Sequence, residues 1–345
     1  MTSVPGHHYK RAVLITMMLI VSAFDAFSSE KYPNSMSAPT QALLGEARET
    51  AARTRLQGIV KEIMAVWAKA DVVCLGEDHG RKNDSDLRIA LIEHPDFVLK
   101  VDIIIVEFAN PIHQDILDRL ALEGENIPRE ELRSVWRDAE GATVWESPIY
   151  EAFLRTVRKI NLAVPRERRV RLIGGDTLID WSKVRRGKDL LPLMNRGKFI
   201  REAVSREISS KGLKGLAIYG AGHCECRGMG FPGELESKYP GKIWSAFSFY
   251  DVEEGRRVFG LKDEPRLIPI TGTERAKVPA AKMFFSGGYN DPSTLGDIVN
   301  AIVYYGDAKD VVVHADESSF DEGFRQELAR RNRLSQEAAE LLCRK

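Results

Sequence analysis

The chain has 345 residues, is 43% hydrophobic and 29% charged, and carries 50 Lys and Arg against 50 Asp and Glu. That length suits one large α/β domain or two small ones. The balanced charge supplies no basic field for nucleic acid, and runs such as 166–171 and 183–188 read as solvated surface.

The chain opens with His7, His8, Lys10 and Arg11 ahead of an apolar run, 12–24, in which only Thr16 and Ser22 are polar. A membrane span needs about 20 apolar residues, so this shorter run fits a signal-peptide core. Small residues at Val21-Ser22-Ala23 and Ala26-Phe27-Ser28 offer cleavage points. The expected organisation is a signal peptide over 1–28, a polar linker over 29–40, and a single α/β domain over 41–345 with a helical insertion at about 110–160. This predicts a periplasmic or extracellular protein whose contact with a membrane is confined to the N-terminal segment.

Helical periodicity runs through 41–69. A pattern then recurs in which a short apolar run ends in Gly or an acid, a polar loop follows, and a helix comes next. The runs are 71–75 before Gly76-Glu77-Asp78-His79-Gly80, 102–106 before Glu107, 170–173 before Gly174-Gly175-Asp176, and 216–219 before Gly220-Ala221-Gly222-His223. Strands apolar nearly throughout are covered on both faces, as in parallel sheets. Helices are expected at 84–95, 111–121, 148–161 and 194–210. Further strands are expected at 243–250, 266–270 and 297–305, and a charged helix at 326–342. This alternation predicts a mostly parallel central sheet flanked by helices.

Ligands of open α/β sheets bind beyond the carboxyl ends of the strands. The unusual polar residues fall there: Glu77 and His79 after the first strand, Glu107 after the second, Asp176 after the third and His223 after the fourth. Chance places about 0.5 Gly-x-x-His in a chain of this composition, yet it occurs twice, at Gly76–His79 and Gly220–His223. Two imidazoles and several carboxylates suit general acid–base work or a divalent metal. His79, Glu77, Glu107 and His223 are therefore the candidate catalytic residues, with Asp176 and Asn110 in support. His79, His223 and Glu107 form the candidate metal set. Asn110 serves equally well as a helix N-cap. His113, Tyr219, Arg81 and Lys82 are weaker candidates, and Asp297 reads as the start of a strand that supports the sheet.

Cys74 lies in an apolar strand and reads as a buried small hydrophobe. Cys224 and Cys226 form a Cys-x-Cys pair open to metal binding, to a local disulfide or to no pairing. In an oxidising compartment a bridge from Cys74 to either is also open.

Leu-Gly-Glu-Asp-His-Gly at 75–80 resembles the first motif of the erythromycin esterase and ChaN-like superfamily, related to the Tiki and TraB proteins. Glu107 after Ile105-Val106 matches its second motif, and Gly174-Gly175-Asp176 matches a later Gly-x-Asp. The two Gly-x-x-His motifs with Glu107 match the mark of the Tiki and TraB branch. The resemblance covers roughly 70–315 and implies the same α/β fold. It also implies one of three activities: hydrolysis of macrolide lactones with the first-motif histidine as base, metal-dependent proteolysis, or haem binding. The chain is shorter than the esterase branch, and Arg-Lys-Asn-Asp after Gly80 departs from the esterase pattern. The implied reading is a hydrolase of an ester, lactone or peptide substrate, possible with or without a divalent metal. The alternatives are a haem- or iron-binding protein, with the histidines, Tyr219 or another tyrosine as ligands, and a non-catalytic member.

Overall fold

The computed structural model describes residues 49–226, 230–249, 252–280, 293–306 and 311–343. The expected signal peptide, the linker and the first part of the 41–69 helix lie outside the described residues. Among the described residues no helix is long and apolar enough to cross a membrane.

Seven strands form one sheet: β1 Val72–Glu77, β2 Ile103–Val106, β3 Arg171–Gly174, β4 Gly215–Gly220, β5 Ile243–Phe249, β6 Arg266–Pro269 and β7 Ala301–Tyr304. Their spatial order is β3-β2-β4-β1-β5-β7-β6, with every pairing parallel except β6 against β7. The expected mostly parallel sheet is thus the one observed. The expected strand at 297–305 divides into a one-turn helix, Leu295–Ile298, and β7. Asp297 accordingly does not start a strand. Its carboxylate accepts from Thr294 N and Oγ1 at 2.9 Å and closes a capping box.

The alternation of β1 and its neighbours sends apolar side chains to both faces. Val73, Leu75, Ile104, Val106, Leu216 and Ile218 pack against helices α1 (Gln57–Val66), α2 (Lys82–Ile92) and α3 (Pro148–Leu162). Val72, Cys74, Ile103, Ile105, Ala217 and Tyr219 pack against α4 (Arg196–Glu207) and α5 (Phe231–Lys238). Both faces are covered, which explains the unbroken apolar runs of β1, β2 and β4. Between β2 and β3 the chain is helical or turning, and α3 is its longest element. The terminal helix α6, Glu322–Cys343, buries Leu334 and Ala338 against Ile179, Val184 and Leu190.

Two consequences matter for the rim. Because β4 lies between β2 and β1, the C-terminal ends carrying Asp176, Glu107, His223 and Glu77 are neighbours in that order. Cys74 forms a disulfide with Cys224, Cα to Cα 5.7 Å, across 150 residues of sequence. The bridge ties the turn that bears His223 to the strand that bears Glu77. Cys74 is therefore a bridged half-cystine, and Cys224-Glu225-Cys226 is neither a local disulfide nor a thiol pair. Cys226 stays free, with its sulfur 3.4 Å from Ser245 Oγ.

Candidate functional site

Glu77 ends β1 and is buried, 4% exposed. Burying a carboxylate requires partners, and three converge on it. Arg88, reaching from α2, pairs with Oε2. Tyr150, from the first turn of α3, donates its hydroxyl to Oε1 at 2.9 Å while accepting the Gly80 N–H at 3.0 Å. His79 Nδ1 lies 2.8 Å from the same Oε1. A carboxylate between an arginine and a phenol can only accept, so Nδ1 is the donor, and in the neutral ring Nε2 then carries the lone pair. The His79 ring stands edge-on to Trp145, centroids 4.5 Å apart, and 34% of its side chain is exposed. The basic nitrogen is thus fixed in direction and still reachable from solvent.

Glu107 follows β2 and is 2% exposed. The Gly220 N–H donates to its Oε2. His79 Nε2 stands 4.0 Å from that oxygen, and His223 Nε2 stands 3.5 Å from Oε1. Two histidines 144 residues apart in sequence therefore flank one carboxylate. Arg196, at the start of α4, brings Nη1 to 3.0 Å from Oε1. Burial alone would raise the Glu107 pKa, but Arg196, then the two imidazoles and the Gly220 N–H, overcome it and hold it at about 2.

Glycine at 220 lets the His79 ring rest close against the end of β4. A Cβ there would lie 3.0 Å from both Cε1 and Nε2 of His79. Gly76 is required, since its Cβ would meet Phe247 Cβ at 2.8 Å and Ala221 Cα at 2.9 Å. Both glycines of the Gly-x-x-His repeats therefore let neighbouring strand ends close up.

His223 completes the short 3-10 turn Ala221–His223. Burial pushes its pKa down against the pull of Glu107, which favours the neutral ring, and its Nδ1 is buried without a protein partner. Asp176 follows β3 and accepts Arg196 Nε at 2.8 Å on Oδ1 and the Glu140 N–H at 2.6 Å on Oδ2. Burial, opposed by Arg196 and helped by Glu140, lifts its pKa to about 7. One guanidinium thus joins Asp176 and Glu107 into a single cluster.

The structure therefore brings Glu77, His79, Glu107, Asp176 and His223 together. It does not bring Asn110 to the chemistry. That side chain is fully buried, accepts from Ile112 N at 3.0 Å as an N-cap, and donates to Asp138 O and Ile179 O at 2.8 Å. Each of its polar atoms is committed to the fold. His113 is engaged with Asp138 at 2.8 Å. Tyr219 is buried and donates to Gly175 O at 3.0 Å, so its oxygen is not presented as an iron ligand. Arg81 and Lys82 pair locally, with Asp78 at 2.9 Å and Asp86 at 2.5 Å.

Among the described residues no group of three His, Cys, Asp or Glu side chains is arranged to hold a metal ion. In the set His79, His223 and Glu107, the carboxylate already faces the Arg196 guanidinium, whose charge opposes a cation there. The arrangement is two imidazoles and a guanidinium around one buried carboxylate.

Four participants escaped the sequence reading: Arg88, Tyr150, Trp145 and Arg196. Arg88 left a trace, a charged residue inside the apolar stretch Leu87 to Ile92. Tyr150 and Trp145 look like ordinary core aromatics, and Arg196 is one cation in a basic segment.

No protein-family model matches the sequence, and no curated protein matches it. Solved structures do. A protein from Bacillus cereus superposes with a TM-score of 0.50 at 13% identity, covering 74% of this chain and 93% of its own. A mutant of the erythromycin esterase EreC in its open conformation superposes with a TM-score of 0.51 at 10% identity, covering 71% and 92%. Haem-bound ChaN of Campylobacter jejuni reaches a TM-score of 0.34 at 15% identity, covering 56% and 86%, too loose a fit to bear on this chain. At these identities the likeness establishes the fold, an α/β architecture shared with erythromycin esterase, and nothing about activity.

Proposed function

We propose that this protein is a hydrolase of carboxylic esters or lactones in which His79, held by Glu77, is the general base. One observation carries the reading. His79 Nδ1 is tied at 2.8 Å to a carboxylate that is itself fixed by Arg88 and Tyr150, which leaves Nε2 the ring's acceptor at a partly exposed rim. Neutral imidazole with a preset lone pair is the group that general-base chemistry near neutral pH requires.

The separation of 4.0 Å between His79 Nε2 and Glu107 Oε2 is too long for a direct hydrogen bond and suits one water donating to both. The water oxygen attacks the substrate carbonyl carbon as Nε2 takes its proton. Glu107, ionised at any working pH, keeps the second hydrogen directed away from the attacking lone pair. The imidazolium then returns its proton to the departing alkoxide oxygen. His223, whose neutral form burial favours, faces Glu107 through Nε2 at 3.5 Å.

An esterase built on the same fold makes esters and lactones the first substrates to screen, with peptides next. The Cys74–Cys224 disulfide supports the exported, oxidising setting expected from the N-terminal segment. The test is turnover of an ester, lactone and peptide panel by the wild type and by His79→Ala. Removing the base should lower kcat by about 10²–10⁴-fold with circular dichroism unchanged. Equal turnover by the variant would reject the assignment.

A further inference from the structure

We propose that Arg196 is a catalytic residue, the donor that takes the negative charge arising on the substrate's carbonyl oxygen. The inference deepens the hydrolase reading and rests on it.

Arg196 comes from α4, outside every strand-end motif, yet it sits among the site's carboxylates. Two of its three nitrogens have work in the folded state. Nη1 faces Glu107 Oε1 at 3.0 Å, and Nε faces Asp176 Oδ1 at 2.8 Å with Glu140 Oε2 at 3.8 Å. The third, Nη2, is buried and meets no acceptor from the protein. A guanidinium N–H buried without an acceptor is costly, and a cation needed only to neutralise Glu107 and Asp176 has no use for it. The nitrogen belongs to a planar group fixed on both other sides, so its direction is preset. A fixed donor of that kind stabilises charge without reorganising.

Glu107, held ionised, claims the guanidinium through Nη1, and Asp176 and Glu140 lie on its Nε side. The carboxylates thus engage two edges of the fork and leave Nη2 without a hydrogen-bond acceptor. Gly222, in the turn beside this cluster, is exposed, and a Cβ on it would meet nothing within 4 Å, so the chain leaves room for an acyl group to approach.

In the attacking step the bond forms between the water oxygen and the carbonyl carbon. The carbonyl π pair moves onto oxygen opposite Nη2, and the proton goes to His79 Nε2. On collapse that pair reforms the carbonyl, the bond from carbon to the leaving oxygen breaks, and the leaving oxygen recovers the proton from His79. The ligand class is thus a neutral acyl ester that becomes anionic only in the transition state.

The experiment uses the full chain with p-nitrophenyl acetate for turnover and methylphosphonate, a tetrahedral anion, for binding by calorimetry. Arg196→Lys keeps a charge for Glu107 and Asp176 but lacks the fork. It should stay folded, keep KM within about twofold and lose about 10²–10³-fold in kcat, as removal of an oxyanion donor does. Arg196→Ala should regain part of its kcat on adding guanidinium chloride at non-denaturing concentration, and methylphosphonate binding should fall at least tenfold in both variants. Wild-type kcat in folded Arg196→Lys overturns the assignment, as does methylphosphonate binding equal to that of the wild type. Should Arg196→Ala not fold, the lysine variant and the phosphonate titration still decide. His79→Ala separates the two claims: if it is inactive while Arg196→Lys is fully active, only the arginine role fails, and if it is fully active, the hydrolase reading itself fails.

Discussion

Gly220→Ala tests the placement of the base with the smallest possible change. The backbone at Gly220 has φ −54° and ψ 145°, an extended conformation that alanine adopts freely. The substitution therefore costs nothing in backbone strain, and its effect on the unfolded chain favours folding by about 0.4–1 kcal/mol. The new methyl would lie 3.0 Å from His79 Cε1 and Nε2 and 3.4 Å from Glu107 Oε2. Comfortable carbon contacts begin at about 3.5 Å, so the imidazole must retreat by roughly 0.5 Å. It can do so because a third of it is exposed. A displacement of about 1 Å from the reacting geometry costs about 10²-fold, so roughly half of it should cost about tenfold in kcat, or about 1.4 kcal/mol of barrier. The unfolding free energy should change by less than about 1 kcal/mol, since the clash meets a movable ring and not backbone. The assay is kcat on p-nitrophenyl acetate beside a urea unfolding curve. A folded variant with undiminished kcat would refute the reasoning, because then His79 either does not rest against Gly220 or does not act as the base.

Four further outcomes are expected. Glu77→Gln should destabilise the protein by about 1.5–3 kcal/mol, because it removes the charge-assisted hydrogen bond between two buried groups, Glu77 and Arg88, and denaturant melts measure it. Glu107 is held at about 2 against an ordinary 4.5, a difference worth about 3 kcal/mol. A lowered carboxylate stabilises above its unfolded pKa, so this contribution should be complete above about pH 4.5 and drain away as pH falls toward 2, and Glu107→Gln should abolish that limb of the stability–pH curve. Asp176 has the opposite sign: raised to about 7 from 3.8, it stabilises at low pH and loses that contribution as pH rises from about 4 through 7, so Asp176→Asn should flatten the neutral limb. Reducing the Cys74–Cys224 bridge, which spans 150 residues, should lower the unfolding free energy by about 3–5 kcal/mol and lower kcat by loosening the His223 turn, and unfolding curves with and without a phosphine reductant check both.

Much of this was readable in the linear chain because the signals are local. Apolar runs such as Val72 to Leu75 and Ile103 to Val106 predict doubly covered strands, and a polar residue just past each run predicts a rim position. Glu77, His79, Glu107, Asp176 and His223 were found that way. Asn110 was also found, but its local signal could not separate a capping role from a catalytic one, and only its three hydrogen bonds decided in favour of the cap. Asp297 misled because its apolar neighbours continue straight into β7, whereas the capping box with Thr294 bends the chain first.

The sequence by itself determined which strands exist and which polar groups end them, since burial on two faces and Gly-x-x-His spacing are written in consecutive residues. The tertiary structure alone decided the strand order that seats His223 between Glu107 and Glu77, the choice of Cys224 as the partner of Cys74, and the arrival of Arg88, Tyr150 and Arg196 from helices. These are pairings between distant segments, fixed by packing and by the need of each buried charge for a counter-charge, and no periodicity within one segment encodes them.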